Sequence, residues 1–472
     1  MPSCGPGYSS PLAAMAGPKE KLLYVITVQP DKEHPEGDYL STVDVDPESP
    51  TFCQVIHRTF TNRPGVEIHH CGWNTCSSCH QKNADEKCLP KRNKLILPSL
   101  TGDTIFVMST EKDPRAPELI KVINGEEMRK MNVCAPHTSH CLADGNIMIS
   151  TLGDADGNAK GDFVLLDPEF NLKETWTRGE KKAACGYDFW YQPYFDVMVS
   201  SEWGPPRQFR RGFHAADLED YGTHLNFYRW STRELEYSID LGKEGVTPLE
   251  IRFLHNPKKA EGFVGCAVYS KVFRFHKPEG SDKFVVEKVI DVPPKELGNL
   301  QKSNGMMTDI LISLDDRFLY FSNWTHGDVR QYDISNPAKP KLTGQIFLNG
   351  AIVSDSGLVV VKDRELSSQP EPVFVKGRRL EGGPQMLQLS LDGKRLYVSS
   401  SLYSPWDKQF YPKMVKAGGT IVQLDVDTVN GGMKLNPNFL VDFGNEPNGP
   451  TLPHEMRYPG GDCTSDIWLA QD

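Results

Sequence analysis

At 472 residues the chain carries 52 Lys and Arg against 62 Asp and Glu, a formal net charge of −10 with no long basic run, which speaks against a general nucleic-acid binder. No stretch approaches the roughly 18 apolar residues of a membrane-crossing helix, and the opening MPSCGPGYSSPLAAMAGPKEK has neither the basic start nor the apolar run of a secretory signal. Eleven cysteines, an odd number without a secretion signal, point to free thiols in a reducing cytosol rather than to a disulfide framework.

In chain order, residues 1–20 read as a flexible Gly/Pro-rich arm. Three strands follow, KLLYVITV from Lys21, YLSTVDVD and CQVIHRTF, without partners of their own. From His69 onward one pattern recurs: a polar residue, then strand, turn, strand, loop, strand, turn, strand. The polar starts are His69, Ser139, Asp188, Glu250, Asp309, Gln385 and Glu455, and the clearest copy is TDILISLDDRFLYFSNWTHGDVRQYDIS from Thr308. Four antiparallel strands at this spacing make one propeller blade. The seventh unit shows only EMRY and DIWL before the chain ends, so the three N-terminal strands are expected to complete it and close the ring. The fold expected is all-β, a seven-bladed β-propeller over residues 21–472, with insertions at about 203–222 and 350–383.

A closed ring gathers the starts of the first strands at one axis. His69 and His70 open the first unit, His137 and His140 the second, and His454 the seventh. Several imidazoles at one mouth suit copper, iron or zinc, although a single strand-start histidine is ordinarily just channel lining. His255, His326 and His224 would join if their ends face the same mouth. Asp188, Glu250, Asp309 and Glu455 either anchor blade starts through backbone amides or orient imidazoles. Cys76 and Cys79 form CSSC between Cys71 and His80, a redox dithiol, half a thiolate metal site, or reduced thiols bracing a loop. Cys53 and His57, four apart in an expected strand, would share a face. No G-x-S-x-G elbow, P-loop, H-E-x-x-H or dinucleotide fingerprint is present.

The strings HHCGWNTCSSC, HTSHCLADG, GYDFWYQP, PLEIRFLHNP, ISLDDRFLYFSNWTHGD, SLYSPWDKQFYP and HEMRYPGGDCTSDIWL resemble the selenium-binding protein family, over nearly the whole chain from Cys4 onward. The resemblance implies oxidation of methanethiol with O2 and water to formaldehyde, hydrogen sulfide and hydrogen peroxide. It also implies dependence on copper, and selenium association at Cys53. Family members are linked with intra-Golgi protein transport and are described as cytosolic, nuclear and peripherally membrane-associated. On that basis His70, His140 and His454 are the expected core ligands and catalytic residues, with His69 and His137 next. Cys76 and Cys79 would deliver copper or accept sulfur. The competing readings are a selenium-carrying propeller scaffold and a thiol-based carrier acting through Cys53.

Overall fold

A computed structural model describes residues 7–79, 90–299 and 301–470. The architecture is all-β, with a few short helices. Seven antiparallel sheets of four or five strands follow the recurring units. Their first strands are, in order, Glu67–Ile68 continued by Gly72–Trp73, Cys134–Cys141, Phe189–Gln192, Pro248–Phe253, Met307–Ile312, Leu387–Leu389 and Leu452–Arg457. Leu452–Arg457 pairs with Leu22–Val28, which continues through Tyr39–Asp44 to Val55–Phe60, so the two ends of the chain share a sheet.

Burial falls from the first strand to the fourth. Pro248–Phe253, Met307–Ile312 and Leu452–Arg457 are buried at every position, whereas the fourth strand Glu234–Asp240 alternates with period two. A strand covered on both faces reads as a continuous run, and one with a wet face alternates. Neighbouring sheets interlock through side chains of these faces, as where Phe163 meets Phe189 edge-on at 5.1 Å.

Four of the first strands share an irregularity. Pro136 faces Thr151 and Ser139 faces Ile149, so one extra residue is inserted around His137. The same holds between Pro248 and Ile251, facing Cys266 and Val264, and between Pro453 and Met456, facing Thr27 and Val25. In the first sheet Ile68 faces Ser99 and Gly72 faces Ile96, which leaves His69, His70 and Cys71 opposite two residues, one of them Pro98. These are β-bulges, and a proline adjoins each, unable to donate to the ladder. Ala135 and Thr247, just ahead of two of these prolines, take the left-handed backbone at φ 50° and 56°. Such strain persists only where the surroundings impose it.

Some expected elements differ. DIWL is not a strand: Asp466 accepts from Ser77 N at 2.9 Å, Ser77 Oγ at 2.7 Å and Arg92 Nη1 at 2.9 Å, tying the C-terminal tail to the CSSC turn. Cys53 lies outside the strand Val55–Phe60, in a turn at φ 64°, so the shared face with His57 does not arise. The 203–222 insertion folds as short helices at Pro206–Phe209 and Ala215–Glu219. That at 350–383 adds the strand Val360–Lys362 against Lys295–Leu297 and a small hairpin. The helices Ser404–Phe410 and Pro412–Ala417 were not anticipated.

The described part of the N-terminal arm is anchored. Tyr8 N donates to Ser77 Oγ at 3.1 Å, Trp468 Nε1 donates to Tyr8 O at 2.9 Å, and Ala14 is fully buried. Buried Glu20 accepts from Arg395 at 2.6 and 2.9 Å and from Tyr397 Oη at 2.7 Å. Glu20→Gln removes the charge that Arg395 and Tyr397 address and is expected to cost about 1–3 kcal/mol. A lowered urea midpoint at unchanged slope would record it.

Candidate functional site

Four imidazoles meet in the interior. The ring centroids of His69 and His454 lie 4.0 Å apart, those of His70 and His137 4.0 Å, and those of His69 and His137 5.3 Å. His69, His70 and His137 each offer a ring nitrogen, all within 4.8 Å of one another. In a regular strand adjacent residues face opposite sides. The bulge between Ile68 and Gly72 is what lets His69 and His70 both face this cluster. The bulge after Pro453 likewise sends His454 to His69 and Glu455 to His70.

Each ring is held from outside. His70 Nδ1 is 2.9 Å from Glu455 Oε1, a carboxylate that accepts only, so the proton sits on Nδ1. His454 Nδ1 donates to the Ser401 carbonyl at 2.7 Å, and His137 Nδ1 meets Thr138 Oγ1 at 3.0 Å. This leaves His70 Nε2, His137 Nε2 and His454 Nε2, together with His69 Nδ1, buried without partners. Buried polar atoms of this kind are costly unless a ligand satisfies them. Orphaned imidazole nitrogens, one oriented by a carboxylate, form a donor set that suits a borderline transition metal.

Burial, reinforced by the neighbouring rings, pushes the pKa of His69 and His137 well below the ordinary value. Burial brings His454 down to about 3. His69, His137 and His454 therefore stay neutral, as ligation requires. Below them lies a buried charge network. Burial disfavours the Glu455 carboxylate, yet Arg457 at 2.6 Å and His70 outweigh it and hold its pKa far below the usual range. Arg252 donates to Asp188 at 2.8 Å and to Glu250 at 2.9 Å. Burial, then the Asp188 charge, pushes the Glu250 carboxyl well up, and Oε1 of this acid lies 3.9 Å from His70 Nε2. The acidic residues thus serve in both expected ways: Asp188 and Asp309 accept from the backbone of Ile251 and Leu387, and Glu455 orients His70.

His140 is not in the cluster. It lies three residues from His137 on the same strand, and its ring packs against Phe189 and Trp190, each at 5.1 Å. The expectation of His140 as a core ligand is corrected by this geometry. His255 and His326 are buried elsewhere, bonded to the carbonyls of Ile312 and Ser303, and His224 sits beside Glu202 at 3.4 Å. His80 lies outside the described residues.

Cys76 and Cys79 are joined by a third thiol that spacing did not reveal. Ser78 Oγ touches Cys76 Sγ at 3.1 Å, Cys141 Sγ at 3.7 Å and Cys79 Sγ at 3.9 Å. The hydrogen bond from Cys141 brings the Cys79 pKa down to about 6, while burial holds Cys141 well up. Cys53 is half-buried, its thiol raised by burial, whereas the other described cysteines are buried.

The roof over the imidazoles comes from the 203–222 insertion and the helix Ser404–Phe410. Trp203 stacks on Phe209 at 4.1 Å, and Trp406 Nε1, on the helix Ser404–Phe410, donates to Phe209 O at 3.0 Å. Tyr187 packs on His137 at 4.0 Å. Sequence reasoning missed Tyr187, Trp203 and Trp406. The signals available were the prolines ahead of His137, Glu250 and His454 and the aromatic residues in the 203–222 insertion and in SLYSPWDKQFYP.

The buried histidines make stability depend on pH. The unfolded chain protonates imidazole near 6.5, but folded His140 does so at about 4 and His454 at about 3. Between those limits the unfolded state binds protons that the native state refuses. Stability is therefore full above about pH 6.5 and falls as pH drops through the window. For metal-free protein, urea unfolding at about pH 7.5 and about pH 5 should differ by about 2 kcal/mol for each such histidine. His140→Asn should flatten the dependence by one such step.

Residues 2–469 match the model of the 56kDa selenium binding protein family (SBP56). The chain is 56% identical over 473 residues to methanethiol oxidase of Homo sapiens, covering 99% of each. It is 55% identical over 472 residues to selenium-binding protein 2 of Mus musculus, covering 99% of this chain and 98% of that one. A hypothetical selenium-binding protein from Sulfolobus tokodaii superposes with a TM-score of 0.86 at 36% identity, over 99% of this chain and 100% of that one. A periplasmic gluconolactonase from Pseudomonas aeruginosa superposes at 0.56 with 11% identity, over 93% and 98%, a likeness of fold alone. The chain is a member of the 56kDa selenium-binding protein family.

Proposed function

We propose that this protein is an oxidoreductase acting on sulfur, a methanethiol oxidase that converts methanethiol, O2 and water to formaldehyde, hydrogen sulfide and hydrogen peroxide. Relatives across the full chain carry that name. The observation that carries the reading is the cluster of buried imidazoles with orphaned ring nitrogens. His69, His70 and His137 would hold the metal, with His454 completing the set. Copper is the ion proposed, because the reaction must exchange electrons with O2 and zinc has no redox chemistry. The chemistry copper supplies when bound is thiolate binding, which lowers a thiol's pKa, and one-electron exchange.

The chain's own groups have defined parts. Glu455 fixes the His70 ring with its proton on Nδ1, leaving Nε2 to face inward. Burial and the Asp188 charge push the Glu250 carboxyl well up, and its Oε1, without a hydrogen-bond partner, lies 3.9 Å from His70 Nε2, where it would hold a proton beside the reacting groups. Trp203, Trp406 and Tyr187 keep bulk water out, which strengthens each charge interaction beneath them. The fold proposed to carry this is a seven-bladed propeller spanning residues 21–472, with residues 1–20 as an arm. The sheet shared by both chain ends supports ring closure.

Cys53 is proposed as the selenium-associated thiol, supported by its partial exposure where the other described cysteines are buried. Cys76 and Cys79 are proposed to pass metal or sulfur. A cytosolic, nuclear and peripherally membrane-associated distribution is proposed from the family resemblance. No helix among the described residues is long and apolar enough to cross a membrane.

Copper-loaded protein should release peroxide and sulfide from methanethiol. His70→Ala and His137→Ala should lower bound copper and turnover by at least about 100-fold. His140→Ala should retain the metal. Cys53→Ser should keep copper and turnover but lose selenium. Folded protein that stays metal-free and inactive after loading would refute the oxidase.

A further inference from the structure

A group of nucleophilic side chains outside the imidazole cluster gathers around Ser78. Cys76 and Cys79 come from the CSSC turn of the first sheet, and Cys141 ends the first strand of the second sheet, Cys134–Cys141. All three are buried and share one apolar cluster with Leu142, Tyr191 and Ile467. We infer that these thiols form a second redox site, in which Cys79 attacks hydrogen peroxide and Cys141 resolves the product as a disulfide between the two sheets. This activity needs neither a metal nor methanethiol. It gives Cys141 a part that the passing of metal or sulfur by Cys76 and Cys79 does not.

Side-chain direction assigns the roles. Cys79 N donates to Cys76 O at 3.0 Å and closes the turn, and Cys76 Sγ stays on that turn, 3.1 Å from Ser78 Oγ and 3.5 Å from Ser78 N. Cys79 Sγ instead reaches across to the second sheet, 3.3 Å from the carbonyl oxygen of Leu142, the residue after Cys141. The Cys141 thiol lies within hydrogen-bonding reach of both Cys76 and Cys79. Ser78 Oγ sits between the reacting sulfurs, 3.9 Å from Cys79 Sγ and 3.7 Å from Cys141 Sγ, and Tyr191 Oη is 3.2 Å from that hydroxyl. The bond from Cys141, helped by Thr75, outweighs burial and brings the Cys79 pKa to about 6, which favours the nucleophilic thiolate near neutral pH. Burial holds Cys141 well above the ordinary thiol value, so it has a proton to give.

The electrons balance within the pair. Attack of Cys79 sulfur on one peroxide oxygen forms an S–O bond and breaks the O–O bond. The hydroxide released takes up the proton that Cys79 gave up and leaves as water. Cys141 sulfur then attacks Cys79 sulfur, an S–S bond forms, the S–O bond breaks, and the second hydroxide leaves with the Cys141 proton. Two thiols lose two electrons, and the peroxide gains them. A low-molecular-weight thiol reductant returns the pair to its starting state. Close packing around the cluster restricts the oxidant to a molecule near the size of water, which hydrogen peroxide meets. Under the oxidase reading a source of that peroxide is close, because Cys141 stands on the strand that carries His137.

The test treats full-length protein, reduced and freed of reductant, with stepwise additions of hydrogen peroxide. Remaining thiols are blocked with N-ethylmaleimide under denaturing conditions, and the peptides are read by mass spectrometry. The expected product joins the peptide of Cys79 to that of Cys141, and it should form at least about tenfold faster than Cys53 is oxidised, although Cys53 is the more exposed thiol. Cys141→Ser should yield no linkage and leave a Cys79 sulfenic acid that dimedone captures, while Cys76→Ser should keep the linkage. With dithiothreitol as reductant, the parent protein should consume peroxide at least about tenfold faster than Cys79→Ser. The parent protein alone decides if a variant fails to fold. A Cys76–Cys79 linkage in its place, oxidation of Cys53 first, or no loss of the Cys79 and Cys141 thiols before the protein unfolds overturns the inference. No methanethiol is present, so either result leaves the oxidase reading to be judged apart, by peroxide and sulfide release from methanethiol.

Discussion

One inserted residue in the first strand of a sheet governs the interior of this protein. A pleated strand shows alternate residues to opposite sides, so a regular Leu452–Arg457 would send His454 and Glu455 apart. The bulge between Pro453 and Met456 turns both inward, to His69 and to His70. The same irregularity at His69–Cys71 and at His137 brings imidazoles from three sheets to one level. A regular ladder would deliver half of these groups to the hydrophobic layers between sheets, where they would be both unpaired and misplaced. Prolines beside the bulges reinforce the break, because they withhold the donor that would restore the ladder.

Concentrating polar groups in this way creates an electrostatic problem. Glu250, Asp188, Asp309 and Glu455 are buried, and among the described residues Arg252 and Arg457 are their close fixed cations. The excess is relieved differently on the two sides. Glu455, caught between Arg457 and His70, is held well below the usual carboxylate range, whereas burial and then the Asp188 charge push the Glu250 carboxyl well above it. Two carboxyls at one level are thereby shifted in opposite directions, the pattern that separates an orienting base from a group able to hold a proton. His69, His137 and His454 stay neutral because burial disfavours their charged forms.

The outer parts of the chain close this interior. The insertion at 203–222 and the helix Ser404–Phe410 come from different sheets and meet through Trp203, Phe209 and Trp406. At another point the tail residue Asp466 clamps the CSSC turn through Ser77 and Arg92, and the N-terminal arm joins through Tyr8. The three thiols around Ser78 are buried in one apolar cluster that includes Ile467 of the tail.

The repeat of apolar runs and turns determined the strand pattern of the seven units, the completion of the seventh sheet from the N-terminus, and the presence of histidines at strand starts. These are local properties, set by side-chain alternation and turn chemistry along a few residues. His69, His70, His137 and His454 were legible as a set because each stands at the same point of its unit. That His140 would fall away was not, since its distance from the cluster depends on which face of the bulged strand it takes. Nor were the third thiol Cys141, the turn that removes Cys53 from its strand, the clamp at Asp466 or the aromatic roof. Each of these depends on residues from different sheets meeting in space, through bulges, packing and burial. Sequence determined which groups were available and at what period, and only the tertiary structure decided which of them face one another, because facing is a property of side-chain direction across sheets rather than of spacing along the chain.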